Sequence, residues 1–261
     1  MPSLTLKYHG TGSPLLWLHG FTQTRLSSHR FLSILAGDHE VATVDLPGHG
    51  DASDTTADLP TTADLLAEVL AGRKMDVVGY SYGGRVALHL ALAHPELVRR
   101  LVLVSTTPGL VEPVERAERV AQDEARAQRI EEVGADAFID EWLRLPLFGG
   151  LVLDEAERQA RQHQSAAGLA GSLRLSGTGT QHYLAQRSKE ITSPVLLLTG
   201  ERDEKFTTLA STWQSDFANA HHHVITESSH AVTLEQPVLS ADAVLSFLAS
   251  NGASAPHSRQ H

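Results

Sequence analysis

A serine between two glycines lies where an apolar run meets a helical run. The pentapeptide 79–83 has the pattern G-x-S-x-G, with Ser81 at its centre. The residues before it, 75–78, have the character of a buried strand, and those after it have the character of a helix. A serine on such a sharp turn projects its hydroxyl away from the sheet, above the unpaired N–H groups of the helix N-terminus. The pattern predicts a nucleophile elbow, and an ordinary strand-to-helix turn with a solvated serine is the alternative.

An acid and a base follow in the chain order that this elbow requires. Asp203 follows the apolar run 194–198 after four further residues, at the carboxyl end of a predicted buried strand. His230 lies in a loop between a short strand and the last predicted helix. The order serine, acid, histidine is typical of enzymes with a nucleophile elbow. We expect His230 to accept the proton of Ser81, and Asp203 to hold the imidazole in the required tautomer.

Two backbone amides are expected to form an oxyanion hole beside the serine. One is the N–H of Tyr82, the residue after the nucleophile. The other is the N–H of Phe21, which follows the apolar run 15–18 and the pair His19-Gly20. Because His230 already stands where the base is needed, His19 is expected to be structural or to face the substrate.

The composition of the whole chain excludes several classes of function. A length of 261 residues suits one large α/β domain with an inserted subdomain. The chain has no cysteine, which excludes disulfides, thiol catalysis and thiolate metal sites, and the residues call for no cofactor or metal. A net charge of -10 disfavours nucleic acid and an anionic membrane as partners. No apolar stretch has the length of a membrane span and the N-terminus shows no signal-peptide pattern, so we expect a cytoplasmic protein. We expect a monomer or a small homo-oligomer.

Predicted strands and helices alternate along most of the chain. Strands are expected near 3–8, 15–19, 41–45, 75–79, 100–105, 194–199 and 222–226, and helices near 25–36, 61–72, 83–94, 207–218 and 237–249. This alternation predicts a mainly parallel sheet with helices on both faces, and the order of serine, acid and histidine along it is that of the α/β-hydrolase fold. The core would comprise residues 1–110 and 191–250. The charged helical stretch 111–190 would form a cap over the active site, with a solvated helical excursion as the alternative, and 251–261 would be a disordered tail.

Several motifs together resemble one enzyme family of this fold, the 2-succinyl-6-hydroxy-2,4-cyclohexadiene-1-carboxylate synthases of menaquinone biosynthesis. The resemblance runs from about residue 18 to residue 237. The motifs that carry it are Leu-His-Gly-Phe at 18–21, Asp-Leu-Pro-Gly-His-Gly at 45–50, Gly-Tyr-Ser-Tyr-Gly-Gly-Arg at 79–85, Thr-Pro-Gly-Leu at 107–110, Gly-Thr-Gly-Thr-Gln at 177–181 and Gly-Glu-Arg-Asp-Glu-Lys-Phe at 200–206. Ser229 and Thr233 stand where this family usually has glycine and histidine.

The resemblance implies a lyase that eliminates pyruvate from 2-succinyl-5-enolpyruvyl-6-hydroxy-3-cyclohexene-1-carboxylate. In that reaction Ser81, activated by His230, acts as a base rather than as a nucleophile. The substrate is an anionic small molecule, and the family positions imply which side chains would meet it. Cations would come from Arg85, Arg119, Arg161 and Lys205, and Tyr80 and Trp142 would line the pocket. For Arg119 and Arg161, a solvated place on an exposed helix is the alternative.

Three other functions remain compatible with the residues to different degrees. A serine hydrolase acting on a carboxylic ester or a carbon–carbon bond would use the same triad, with Ser81 as nucleophile. A dehalogenase is disfavoured because the elbow carries serine rather than aspartate. A binding protein without catalysis is disfavoured because Ser81, Asp203 and His230 are all present.

Overall fold

A computed structural model describes residues 4–162 and 164–250 of the chain. Seven strands form one sheet in the order β1-β3-β2-β4-β5-β6-β7. Only β1 runs antiparallel, against β3, and the other neighbours pair in parallel. The strands are β1 (Lys7–His9), β2 (Ser13–Leu18), β3 (His39–Val44), β4 (Met75–Tyr80), β5 (Val98–Val104), β6 (Val195–Gly200) and β7 (Ala220–Ile225). The predicted mainly parallel sheet is confirmed.

Ten α-helices accompany the strands within the described residues. They are α1 (His29–Leu35), α2 (Leu59–Leu70), α3 (Tyr82–Ala93), α4 (Pro113–Val133), α5 (Ala135–Leu143), α6 (Glu155–Gln159), α7 (Ala166–Ser176), α8 (Glu204–Trp213), α9 (Val232–Glu235) and α10 (Pro237–Ser250). Each of the five helices predicted from the sequence is present. The first predicted strand is shorter than expected, because only residues 7–9 pair with β3.

Alternating side chains of the strands build a core on each face of the sheet. On β2, Leu16 and Leu18 belong to the core under α2, α3 and α8, whereas Leu15 and Trp17 belong to the core under α1 and α10. Successive residues of a strand point to opposite faces, so a strand buried on both sides must be apolar throughout. The continuous apolar runs of the sequence therefore follow from a sheet that helices cover on both faces.

The stretch between β5 and β6 forms a separate helical layer with its own small core. Helices α4, α5, α6 and α7 lie here, and apolar side chains of α4, α5 and α7, among them Ile130, Phe138 and Leu169, pack together. We use the word cap below for this layer between β5 and β6, several of whose side chains line the cavity above Ser81. The cap boundaries 111–190 stay a prediction, and the predicted tail 251–261 lies outside the described residues. None of the helices described combines the length and apolar character that crossing a bilayer requires.

Candidate active site

Ser81 lies on a strained turn between β4 and α3. Its backbone has φ 51° and ψ −106°, a conformation that is costly for a residue with a side chain. Two glycines permit the turn, because at each of them another segment of backbone lies too close to leave room for a Cβ atom. A Cβ on Gly79 would lie 2.4 Å from the carbonyl oxygen of Gly83, and a Cβ on Gly83 would lie 2.2 Å from that of Leu18. The elbow therefore requires both glycines of the pentapeptide, as its sequence pattern predicts.

The structure brings Ser81, His230 and Asp203 into one hydrogen-bonded row. Nε2 of His230 lies 3.0 Å from Oγ of Ser81, and Nδ1 of His230 lies 2.7 Å from Oδ2 of Asp203. An ionised carboxylate can only accept, so Nδ1 carries the proton that it donates to Asp203, and Nε2 is left to accept the serine proton. Asp203 and His230 are both buried, which keeps water from competing for these hydrogen bonds.

Aromatic rings enclose the imidazole of His230. The ring of Phe206 lies 4.6 Å away between centroids, that of Tyr80 5.6 Å and that of Phe148 6.1 Å. Phe206 is also tied to the acid, since its backbone N–H donates to Oδ1 of Asp203 at 3.4 Å. Burial raises the pKa of Tyr80, so its phenol stays neutral at physiological pH. The rings thus surround the base with apolar surface, and its two nitrogens face Asp203 and Ser81.

The turn after β2 presents the amide of Phe21 beside the elbow. Gly20 N–H donates to Oε1 of Gln23 at 2.8 Å, and Gln23 N–H donates back to the Gly20 carbonyl at 3.1 Å, which closes the turn from both sides. Within the described part of the chain, the amides of Phe21 and Tyr82 donate to no protein group. Both residues line the cavity above Ser81. Two amides without a protein acceptor beside one cavity are available to an oxyanion, and the oxyanion hole itself stays a prediction.

His19 is a structural residue of this turn. Its Nε2 accepts from the backbone N–H of Leu46 at 3.0 Å, so its Nδ1 carries the proton and donates to the carbonyl of Gly20 at 2.8 Å. Burial lowers its pKa, which keeps the ring neutral. Of the two roles expected for His19, the structural one applies, because Nε2 joins the end of β2 to Leu46 after β3 while Nδ1 fixes the ring to the adjacent Gly20 carbonyl.

Arg85 is a buried cation that contacts no carboxylate among the described residues. Its Nη1 donates to the carbonyl of Ser176 at 2.6 Å, and its guanidinium lies 5.5 Å from the centroid of the Tyr82 ring. No carboxylate of residues 4–162 and 164–250 forms an ion pair with it. Burial lowers its pKa to about 10, so it remains charged at neutral pH. A buried guanidinium in this state is suited to an anion from outside the chain.

The other predicted cations surround the same cavity in different states. Nε of Arg119 donates to both carboxylate oxygens of Asp123 at 2.9 Å. Arg161 is 4% exposed and binds Glu157 through Nη1 at 2.8 Å, so the alternative of a solvated helix position is wrong for it. Lys205 is exposed at the rim of the cavity.

Core and cap together enclose a cavity of about 160 Å³ above Ser81. Every residue predicted for the site lines it except Asp203, which lies behind His230. Trp142 of the cap packs edge-on against Phe21 of the core at 5.3 Å and against Phe148 at 5.9 Å. The side chains of the cap that line the wall of this cavity include Arg119, Trp142, Leu147, Phe148, Arg161, Ser172 and Ser176.

Sequence reasoning missed several residues that build this site. Gln23 orders the oxyanion turn, and Thr106 donates its hydroxyl to the carbonyl of Ser81 at 2.8 Å. Phe148 covers His230, and Glu157 holds Arg161. The position of Thr106 just after β5, at the carboxyl edge of the sheet, was a signal that could have found it. Nothing in the sequence pattern distinguishes the other three from ordinary loop or helix residues.

Comparison with known proteins agrees with this geometry. Residues 15–243 match the alpha/beta hydrolase family. A Bacillus subtilis (strain 168) protein, provisionally named 2-succinyl-6-hydroxy-2,4-cyclohexadiene-1-carboxylate synthase, is 36% identical over 246 residues, which cover 89% of each chain. A protein of that name from Escherichia coli O1:K1 / APEC is 31% identical and covers 88% of this chain and 92% of its own.

Solved structures show the same relationship. MenH from S. aureus superposes with a TM-score of 0.88 at 32% identity, covering 97% of this chain and 100% of that one. A thermophilic esterase from Thermogutta terrifontis superposes with a TM-score of 0.81 at 22% identity, covering 95% and 93%, and this likeness shows the fold alone. Together with the Ser81–His230–Asp203 row, these findings show that the chain belongs to the 2-succinyl-6-hydroxy-2,4-cyclohexadiene-1-carboxylate synthase family of the α/β-hydrolase fold.

Proposed function

We propose that this enzyme eliminates pyruvate from 2-succinyl-5-enolpyruvyl-6-hydroxy-3-cyclohexene-1-carboxylate to give 2-succinyl-6-hydroxy-2,4-cyclohexadiene-1-carboxylate. The observation that carries the proposal is the convergence of Arg85, Arg119 and Arg161 on one small cavity above Ser81, with Lys205 at its rim. The substrate has a ring carboxylate, a succinyl carboxylate and an enolpyruvyl carboxylate. A pocket for a neutral ester would have no use for so many cations.

Ser81 is the base in this reaction. As Oγ takes a proton from the ring carbon, its own proton passes to Nε2 of His230, which lies 3.0 Å away. Asp203 stabilises the imidazolium that forms, through its 2.7 Å contact with Nδ1. The ring anion then expels enolpyruvate as the C–O bond breaks. Enolpyruvate gains one proton at carbon to become pyruvate, and the loss of one proton from His230 balances it and restores the triad. The step needs no acyl-enzyme, added water, metal or cofactor.

The remaining site residues hold the substrate and spread its negative charge. The amides of Phe21 and Tyr82 stabilise charge on the carbonyl next to the carbon that loses its proton. Arg85, buried without a carboxylate partner in the described residues, takes one substrate carboxylate above the elbow. Tyr80 and Trp142 form apolar walls for the ring. Cytoplasmic location and a monomeric or small oligomeric state stay predictions.

The test compares two reactions of the purified protein. Incubation with the enolpyruvyl substrate should release pyruvate in step with loss of substrate, whereas a short p-nitrophenyl ester should turn over slowly or not at all. Efficient ester turnover without pyruvate release would favour the serine hydrolase, which would use the same Ser81 as nucleophile.

A further inference from the structure

Glu157 is a buried carboxylate that the proposed reaction does not use. It lies in α6 of the cap and is 4% exposed. Its two oxygens serve different partners. Oε2 accepts from Nη1 of Arg161 at 2.8 Å, whereas Oε1 accepts from the backbone N–H of His29 at 3.1 Å and lies 3.1 Å from Nδ1 of that residue. A buried charge is tolerated only with such full pairing, so the position of Glu157 is closely defined.

The contacts with His29 attach Glu157 to the core. His29 is the first residue of α1, and the residue before it, Ser28, makes no side-chain capping hydrogen bond. The hydroxyl of Ser28 instead lies 3.0 Å from Oγ1 of Thr233. The amide of His29 therefore receives its acceptor from Glu157, across 128 residues of sequence. A cap residue thereby closes the N-terminus of a core helix, which locates Glu157 relative to the sheet.

The ion pair with Glu157 leaves one edge of the Arg161 guanidinium without a partner among the described residues. Within the described part of the chain, the side-chain hydrogen bonds of Arg161 all use Nη1, which donates to the carboxylate and carbonyl of Glu157 and, at 3.4 Å, to Ser27. Nε has no partner among the described residues, and Nη2 donates to none of them. Nε and Nη2 lie along one edge of the planar fork and can bind a carboxylate through two parallel hydrogen bonds. Arg161 also lines the cavity above Ser81.

We propose that Glu157 is a positioning residue, which ties Arg161 to the core so that its Nε–Nη2 edge is set in advance for a substrate carboxylate. This inference rests on the proposed function. An arginine side chain has many rotamers, and ordering it only when substrate binds would cost affinity. The ion pair with Glu157 already orders the Arg161 side chain in the folded protein, before substrate binds. Loss of the Glu157 charge should therefore weaken substrate binding more than it slows the chemical step.

The experiment is a double-mutant cycle with kinetics of pyruvate release. The amide of Glu157→Gln has one oxygen, which cannot serve both His29 and Arg161. We expect KM to rise about tenfold in this variant while kcat stays within about threefold. Arg161→Ala should raise KM further. The double variant Glu157→Gln/Arg161→Ala should differ in KM from Arg161→Ala alone by less than about twofold, because the effect of Glu157 on KM passes through Arg161. Glu155→Gln, an exposed change in the same helix, is the matched control and should leave KM unchanged.

A second measurement separates this inference from the proposed function. The ¹⁵N relaxation of the Arg161 Nε–H, assigned by its absence in Arg161→Ala, should show an ordered side chain in the wild type and a mobile one in Glu157→Gln. If no pyruvate is released but Arg161 loses order, the proposed function fails and the positioning role stands. If pyruvate is released and neither KM nor the order of Arg161 changes, the positioning role fails alone. If Glu157→Gln raised KM equally in the wild type and in Arg161→Ala, the positioning role would also be overturned, because Glu157 would then act through the stability of the fold.

Discussion

Replacing Arg85 by methionine should lower activity while leaving the resting protein at least as stable. The guanidinium is buried with one hydrogen bond, to the carbonyl of Ser176, and with the ring of Tyr82 beside it. Its pKa of about 10 lies below the ordinary value of 12.5 because burial disfavours the charged form. At about 1.4 kcal/mol per pKa unit, keeping this charge costs the folded state about 3 kcal/mol.

The expected change in stability is a balance of two effects. Methionine removes the buried charge and preserves much of the apolar stem, but it leaves the carbonyl of Ser176 without its donor, which costs about 1–2 kcal/mol. The free energy of unfolding should therefore rise by about 1–2 kcal/mol. Activity should move the other way. Loss of a charge-assisted hydrogen bond to the substrate costs about 1.5–3 kcal/mol, or roughly tenfold to 150-fold in kcat/KM.

Pyruvate release and urea unfolding of Arg85→Met measure these two effects separately. Arg85→Lys should recover only part of the activity, because an ammonium cannot reproduce the planar fork. Arg99→Met is the matched control: Arg99 pairs with Asp76, which is fully buried, so this variant should lose more than about 1 kcal/mol of stability and keep its activity per folded molecule. If Arg85→Met lost stability as the control does, and lost ester turnover and pyruvate release equally, Arg85 would be structural and the reasoning would be refuted.

Further expectations concern the triad, the elbow and pH. Ser81→Ala and His230→Ala should each reduce pyruvate release by roughly 10²–10⁴-fold, and the double variant should be no worse, because the two act as one proton-transfer unit. Gly83→Ala should unfold or rearrange the elbow, visible in thermal unfolding, since its Cβ would lie 2.2 Å from the carbonyl of Leu18. Burial lowers the pKa of His49 to about 3, so below pH 6.5 the unfolded state takes up a proton that the folded state does not. Stability should then fall by about 2 kcal/mol from this residue between pH 6.5 and 5, and urea unfolding of His49→Asn should lack that part of the loss.

Local patterns made most of the fold and the triad predictable. The run Leu15–Leu18 is short for a buried helix and has glycines on both sides, which favours a buried strand, and the structure has a strand there. Ser81 could be recognised because its neighbours must be small for the turn to close. Helix α8 begins at Glu204, earlier than the predicted 207, because Asp203 accepts a hydrogen bond from the amide of Phe206 as well as from His230. A residue that serves as both acid and helix cap is hard to see in a hydrophobic pattern.

Contacts across the chain were not predictable. Arg161 resembles any arginine of a charged segment, and only folding brings it to Ser27, 134 residues away, and buries it. The role of Gln23 depends on a single amide–carboxamide hydrogen bond within a turn, which has no periodic signature. Such residues owe their state to packing between the cap and the core. The burial and hydrogen bonding of these residues therefore depend on tertiary structure, whereas the exposed position of Ser81 on its turn depends on the five residues 79–83.

The contact between Trp142 and Phe21 makes the cap optically distinguishable from the core. The chain has three tryptophans, and the other two, Trp17 and Trp213, are fully buried in the core. Trp142 lies at the cavity, partly exposed, with the guanidinium of Arg126 5.7 Å from its ring. Any rearrangement of the cap on substrate binding would alter the surroundings of this indole and leave the other two as a constant background. The intrinsic fluorescence of the unlabelled protein can thus report cap movement in stopped-flow experiments, before any pyruvate is detected.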